Sequence, residues 1–308
     1  MRKLIISLCL VVGGGVSATA LAGCGTDDAV GPDVARAAEA TAKKGTARIA
    51  MRISVEGAGL PLPIAIDAKG VMALNAAQGR VTFDLAPLLG LAGAPQGTPG
   101  ELEMRFGGGT VYAKPPKLDQ LEIPGGKPWV SLELPKLAGA LGLPTRGLGK
   151  LFTLEPAAQL RALKAAKNLK EVGKEDVGGA QTTHYRGTLR LSDFAATLAP
   201  AERAEVEKGI KRLEQLGGQS NGNLDEPVPV DLWIDEDGVT RKMLAETKLP
   251  AQNGQPGGTI KQSYVLSDFG VVLDAEPPAA QDTYDATEAL AGVLKQVATM
   301  GSGGTATP

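Results

Sequence analysis

From Thr46 onward the chain keeps returning to one pattern that a helix cannot satisfy. In TARIAMRISVEG, residues 46–57, Ile49, Met51, Ile53 and Val55 occupy every second position, and Arg48, Arg52, Ser54 and Glu56 fall between them. A period of two sends alternate side chains to opposite faces of a pleated strand, so this run predicts a strand with one apolar and one wetted face. The same alternation recurs. Ile64 and Ile66 open a strand that continues past Gly70 to Met72 and Leu74. Val81, Phe83 and Leu85 alternate with Thr82 and Asp84, and Leu102, Met104 and Phe106 with Glu101, Glu103 and Arg105. After three glycines comes TVYAK, and then Val130, Leu132 and Leu134 alternate with Ser131 and Glu133.

A second series starts at Leu169. The run LKEVGKEDVGGAQTTHYRGTLRL reads as two strands around Gly178-Gly179. Val230, Leu232 and Ile234 lead into Asp235-Glu236-Asp237-Gly238, a strong hairpin turn, with Val239, Arg241 and Met243 on the return strand. Gly258 to Leu266 and Phe269 to Leu273 read as the last strands. Glycine, proline and asparagine separate most of these runs, as expected of consecutive antiparallel strands. A strand with one apolar face must cover it, so the expected fold is α+β, a single antiparallel sheet with helices on its apolar face.

Helical signals frame and interrupt the strands. Asp33 reads as the N-cap of VARAAEATAKKG, which carries alanines at helical spacing, Lys43 and Lys44 in its last turn and Gly45 as a stop. PKLAGALGLP is a short helical or irregular piece, and EPAAQLRALKAAKN, 155–168, is a helix opening on Glu155-Pro156. Ser192 to Leu216 reads as two helical pieces broken at Pro200. TYDATEALAGVLKQVATM reads as a final helix before a disordered GSGGTATP.

The chemistry of catalysis is poorly represented. His184 is the single histidine. It falls in the polar set with Thr182, Arg186 and Arg190, where a lone histidine reads as an ordinary surface residue. No Ser–His–Asp signature, HExxH or Cys/His cluster is present. Asp235, Glu236 and Asp237 lack the spread of ligands of a calcium loop, and turn chemistry accounts for them. RFGGGT at 105–110 and GGKP at 125–128 are glycine turns without a phosphate-loop context. The expectation is no enzyme, no metal and no cofactor. A formal charge of −2 gives no basic footprint for nucleic acid.

The amino terminus carries an address. Arg2 and Lys3 precede an apolar core, Leu4 to Val12, and a small-residue region ending Leu21-Ala22-Gly23-Cys24. That core is too short for a comfortable span, which needs roughly 20 apolar residues. LAGC resembles the bacterial lipobox, which implies cleavage before Cys24 and acylation of its thiol; two or more acyl chains give stable anchoring. Cys9 would leave with the leader, so the mature chain could form no internal disulfide. The expected organisation is a signal peptide over 1–23, a tether over 24–32, one domain over 33–298 and a disordered tail over 299–308.

Several segments resemble the actinobacterial LppX/LprA/LprF/LprG lipoproteins, which share a fold with the LolA and LolB carriers. They are the lipobox LAGC, the stretch ending KKGTARIAMRISVEG, the strand with Gly179, Thr183, Tyr185 and Gly187, and the strand with Val230, Leu232, Trp233, Ile234 and Asp235 followed by Arg241 and Lys242. The resemblance implies a curved half-barrel, LolA-like sheet with helices across its concave apolar face. It also implies a cavity for an acylated lipid or lipoglycan, on the outer face of the cell membrane.

The candidate cavity lining is Ile49, Met51, Ile53, Val55, Ile64, Ile66, Met72, Phe83, Met104, Phe106, Leu132, Leu232, Ile234 and Met243. Periodicity alone leaves open whether helices fill this face or leave it hollow. Two functions follow. One is a membrane-anchored protein that binds, and transfers, an acylated lipid. The other is an envelope sensor or protein-interaction module of the same fold without lipid cargo. The expected partners are membrane lipid through acylated Cys24 and an acylated lipid ligand; no protein partner is identified.

Overall fold

The computed structural model describes residues 31–60, 62–116, 123–140, 142, 165–196, 198–217, 226–249, 251 and 256–302. Cys24, the leader and residues 155–164 of the helix expected over 155–168 lie outside them; Lys167 and Asn168, read as the end of that helix, instead open a strand. Among the described residues twelve strands form one sheet: β1 (Thr46–Gly57), β2 (Ile64–Ala73), β3 (Gly79–Asp84), β4 (Glu101–Gly107), β5 (Thr110–Lys114), β6 (Trp129–Glu133), β7 (Lys167–Val177), β8 (Ala180–Leu189), β9 (Val228–Asp235), β10 (Thr240–Leu249), β11 (Gly258–Ser267) and β12 (Thr283–Asp285). Their order is β12-β6-β5-β4-β3-β2-β1-β11-β10-β9-β8-β7. The sheet is curved and open, with β12 and β7 as its edges. Every pair is antiparallel except β12 with β6.

The two strand series of the sequence meet in the middle. β1 pairs with β2 on one side and with β11 on the other, so the first strand joins the last long one. That junction makes one sheet out of two meanders. β3 comes close to β2 at Gly70. A Cβ there would sit 2.0 Å from the Arg80 carbonyl oxygen on β3, so no other residue permits this approach. Edge strand β7 is charged and carries two register shifts, both of which discourage pairing with another chain.

The helices are α1 (Gly31–Lys43), α2 (Ala86–Leu91), α3 (Leu134–Ala140), α4 (Leu191–Ala196), α5 (Pro200–Gly217) and α6 (Thr287–Ser302). α1 begins before Asp33, the residue read as its cap, and the chain turns into β1 at Gly45, whose φ is +80°. α3 and α6 pack on each other and on β6.

Three differences from the sequence reading have local causes. Phe269–Leu273 is not a strand: the chain turns at Asp268–Gly270, where the Gly270 N–H donates to the Thr46 carbonyl, and 271–273 then take no sheet partner. Residues 283–285, read as the start of the final helix, instead pair with β6, and the helix starts at Thr287. That helix continues through Ser302, past the point where the tail was expected to begin.

Candidate functional site

The strand register decides which apolar residues share a face. Along β1, Ile49 lies opposite Leu266, Met51 opposite Tyr264 and Val55 opposite Ile260, while Ile53 faces Ile66 and Val55 faces Ile64 on the other side. The same face continues through Phe83 opposite Ala68, Met104 opposite Val81, Phe106 opposite Val111, and Val111 opposite Leu132. In the other direction it passes from Tyr264 to Met243 and Leu232, and reaches Ile234 opposite Thr240. Every candidate lining residue therefore lies on one face of one sheet.

They are not equally covered. Ile49, Met51, Ile66, Met72, Phe106, Leu232 and Ile234 are buried; Ile53, Val55, Ile64, Phe83, Met104, Leu132 and Met243 are half-buried. Two packed clusters account for much of the burial. Ala47, Ile49, Met51, Ala68, Met72, Leu74, Val81, Phe106, Val111 and Leu266 form one. In the other, Val34, Ala37 and Ala38 of α1 pack on Leu169, Val230, Leu232 and Ile234. Among the described residues, α1 is the helix whose side chains join these clusters.

Coverage falls along the strands. On β1 the exposure rises from Ala47, 0%, through Ile49, 3%, and Met51, 7%, to half-buried Ile53 and Val55. β2 repeats this from Met72 to Ile64, and β3 and β4 from Val81 and Phe106 to Phe83, Met104 and Leu102. On β1 to β4 the face is a packed core at the Thr46 end and a half-covered apolar surface toward the Gly57 end, whereas Ile260 on β11 and Val230 on β9 stay buried toward that end. Met and Phe along it can repack around an apolar guest.

The opposite face holds the one part of the polar set that sequence reasoning misread. His184 is 5% exposed rather than a surface residue. Its Nδ1 lies 3.0 Å from Glu175 Oε1 and its Nε2 lies 2.6 Å from Asp231 Oδ1. Its ring stacks on Trp233 with centroids 4.2 Å apart, and Lys242 Nζ sits 4.0 Å from the indole centroid. The Trp233 Nε1–H donates to Glu175 Oε2 at 2.9 Å, and Arg186 Nε donates to Asp231 Oδ1 at 2.8 Å. The Trp233 indole above all, with the His184 imidazole also donating, holds the Glu175 carboxyl below its ordinary range against the opposing effect of burial. Every ring nitrogen and carboxylate here has a partner, so the arrangement ties edge strand β7 to β8 and β9. The sequence carries no sign of it, because His184, Trp233 and Glu175 become neighbours only through register.

The Asp235–Gly238 turn forms as expected. The Val239 N–H donates to Asp235 Oδ1, and Gly238 has φ +73°. The return strand, however, shifts register between Thr240 and Lys242. The shift breaks the expected Val239–Arg241–Met243 alternation and places Thr240 on the apolar face. Among the described residues no group of acidic, histidine or cysteine side chains could hold a metal, and no helix is long and apolar enough to cross a membrane.

No family model matches the chain. Over 169 residues it is 29% identical to an uncharacterized 31.2 kDa protein of Streptomyces griseus, a match covering 54% of this chain and 50% of that one. Over 170 residues it is 25% identical to a Streptomyces coelicolor protein provisionally named a lipoprotein, covering 54% of this chain and 45% of that one. The chain spans about half the length of these curated relatives. Among solved structures it matches the lipoprotein LppX of Mycobacterium tuberculosis at 16% identity and TM-score 0.40, over 82% of this chain and 100% of that one. The chain is similar to actinobacterial lipoproteins. None of these relatives is named as an enzyme.

Proposed function

We propose that the protein is a membrane-anchored lipoprotein of the cell envelope that binds an acyl chain against the less covered part of its apolar face. The carrying observation is the gradient of burial: the same face that packs as a core around Ile49 and Met72 stays half-covered at Ile53, Val55, Ile64, Phe83 and Met104. Each methylene brought out of water there contributes about 0.8 kcal/mol, so an acyl chain supplies ample binding energy before ordering costs. Acylation at Cys24 supplies the anchor. The likeness to named lipoproteins supports an envelope location; transfer of the lipid and the outer face of the cell membrane are part of the proposal.

The test is native mass spectrometry of the purified protein together with titration of a fluorescent fatty-acyl probe. Retained lipid or saturable probe binding is expected. Identical native and delipidated masses with no probe binding leave the second reading, a sensor or interaction module. Anchoring is tested separately, since Cys24→Ser should move the protein to the soluble fraction or leave it unprocessed.

A further inference from the structure

Six neighbouring strands send three connections out of the Gly57 end of the sheet: β1–β2, β3–β4 and β10–β11. Register fixes this grouping. Gly57 lies opposite Gly258, Leu249 also lies opposite Gly258, and Asp84 pairs with Glu101 where the β3–β4 connection leaves. The three stretches 57–66, 85–100 and 249–260 contain no Asp, Glu, Lys or Arg, in a chain that is 21% charged. They do contain GAGLPLP and APLLGLAG. Leu62 is 74% exposed and Leu91 45% exposed. Charges resume just behind these tips, at exposed Asp84 and Glu101 and at the Lys261–Glu56 pair. The Thr46 end is different: Lys43, Lys44, Glu236 and Asp237 stand exposed there.

Exposed leucines on uncharged tips, backed by charges, are an arrangement for the water–bilayer boundary rather than for water. Two further observations select the bilayer as occupant. The half-covered part of the apolar face, on β1 to β4, lies toward this same end. α1 also starts on this side: its last turn is fixed at Thr240, while Val34 near its start packs in the cluster with Leu169 and Val230, farther toward the Gly57 end. α1 thus begins on the side that bears the apolar tips.

We infer that the β1–β2 and β3–β4 tips, with Leu62 and Leu91 foremost, insert into the bilayer interface and set the apolar face against the membrane from which it takes its lipid. This rests on the lipid-binding reading and adds an orientation to it. The tips themselves carry no basic residue, so insertion is driven by apolar contact and is insensitive to salt.

The experiment uses the full acylated chain in neutral phosphatidylcholine vesicles. With Cys24 acylated and Cys9 removed, a cysteine introduced by Leu62→Cys, Leu91→Cys or Gln78→Cys is the only free thiol and takes a polarity-sensitive fluorophore. Labels at 62 and 91 should shift to the blue and be quenched by brominated lipid; the label at 78, in an exposed turn at the other end, should do neither. Leu62→Asp with Leu91→Asp should abolish close contact, slowing probe uptake from vesicles at least roughly tenfold while leaving probe binding in solution unchanged. Water-like labels at 62 and 91 alongside intact probe binding overturn the orientation and point to a protein partner for these tips. Absence of probe binding with lipid-quenched labels overturns the lipid-binding reading instead.

Discussion

The Thr240 backbone N–H on β10 donates to Thr41 Oγ1 on α1 at 2.8 Å, and the Thr41 hydroxyl donates in turn to the Ala37 carbonyl at 2.6 Å. Thr41 is 0% exposed and Thr240 2%. The register shift at Thr240 leaves that N–H without a ladder partner, and the helix supplies one. One hydroxyl thereby docks α1 on the apolar face and completes the sheet. Thr41→Val keeps the shape but strands a buried donor, so urea unfolding should show a loss of about 1–3 kcal/mol. Thr41→Ser should recover most of it.

Gly70 permits the close approach of β2 and β3. Gly70→Ala forces its Cβ against the Arg80 carbonyl, and thermal unfolding should show a loss of more than about 2 kcal/mol. Gly90→Ala is the control. It sits in α2 with nothing within 4 Å of the added carbon, and should be neutral or gain up to about 1 kcal/mol.

The Glu175 carboxyl gives the protein an acid limb. Its folded pKa is depressed, chiefly by the Trp233 N–H, so its contribution is present above the unfolded glutamate value and is lost as pH falls through the folded one. In a Trp129→Phe background, Trp233 fluorescence should titrate with a midpoint below the ordinary glutamate value of 4.5. Glu175→Gln should remove that transition and flatten stability against pH on the acid side.

The packed and half-covered parts of the apolar face should respond differently to truncation. Met72→Ala, in the cluster with Phe106 and Leu74, should cost about 2–5 kcal/mol of stability. Ile53→Ser and Phe83→Ser, at half-buried positions, should cost less while weakening fatty-acyl probe binding severalfold. Equal stability losses and unchanged probe binding would mean that the face is simply core.

Period-two alternation was enough to find β1 to β6 and β8 to β11, and with them the apolar set from Ile49 to Met243, because burial on one side of a strand is written into every second residue. The turns at Gly178-Gly179 and Asp235–Gly238 were equally visible, since they need residue types that tolerate positive φ or cap a bend. Three things were decided only by the tertiary structure. Pairing of β1 with β11 joined two meanders into one face, and no local signal specifies a partner two hundred residues away. Register placed His184, Trp233, Glu175 and Asp231 together and buried a histidine whose neighbours in sequence are polar. The gradient of coverage from Ala47 to Val55 also lay beyond the pattern, because alternation says which way a side chain points and nothing about what stands over it.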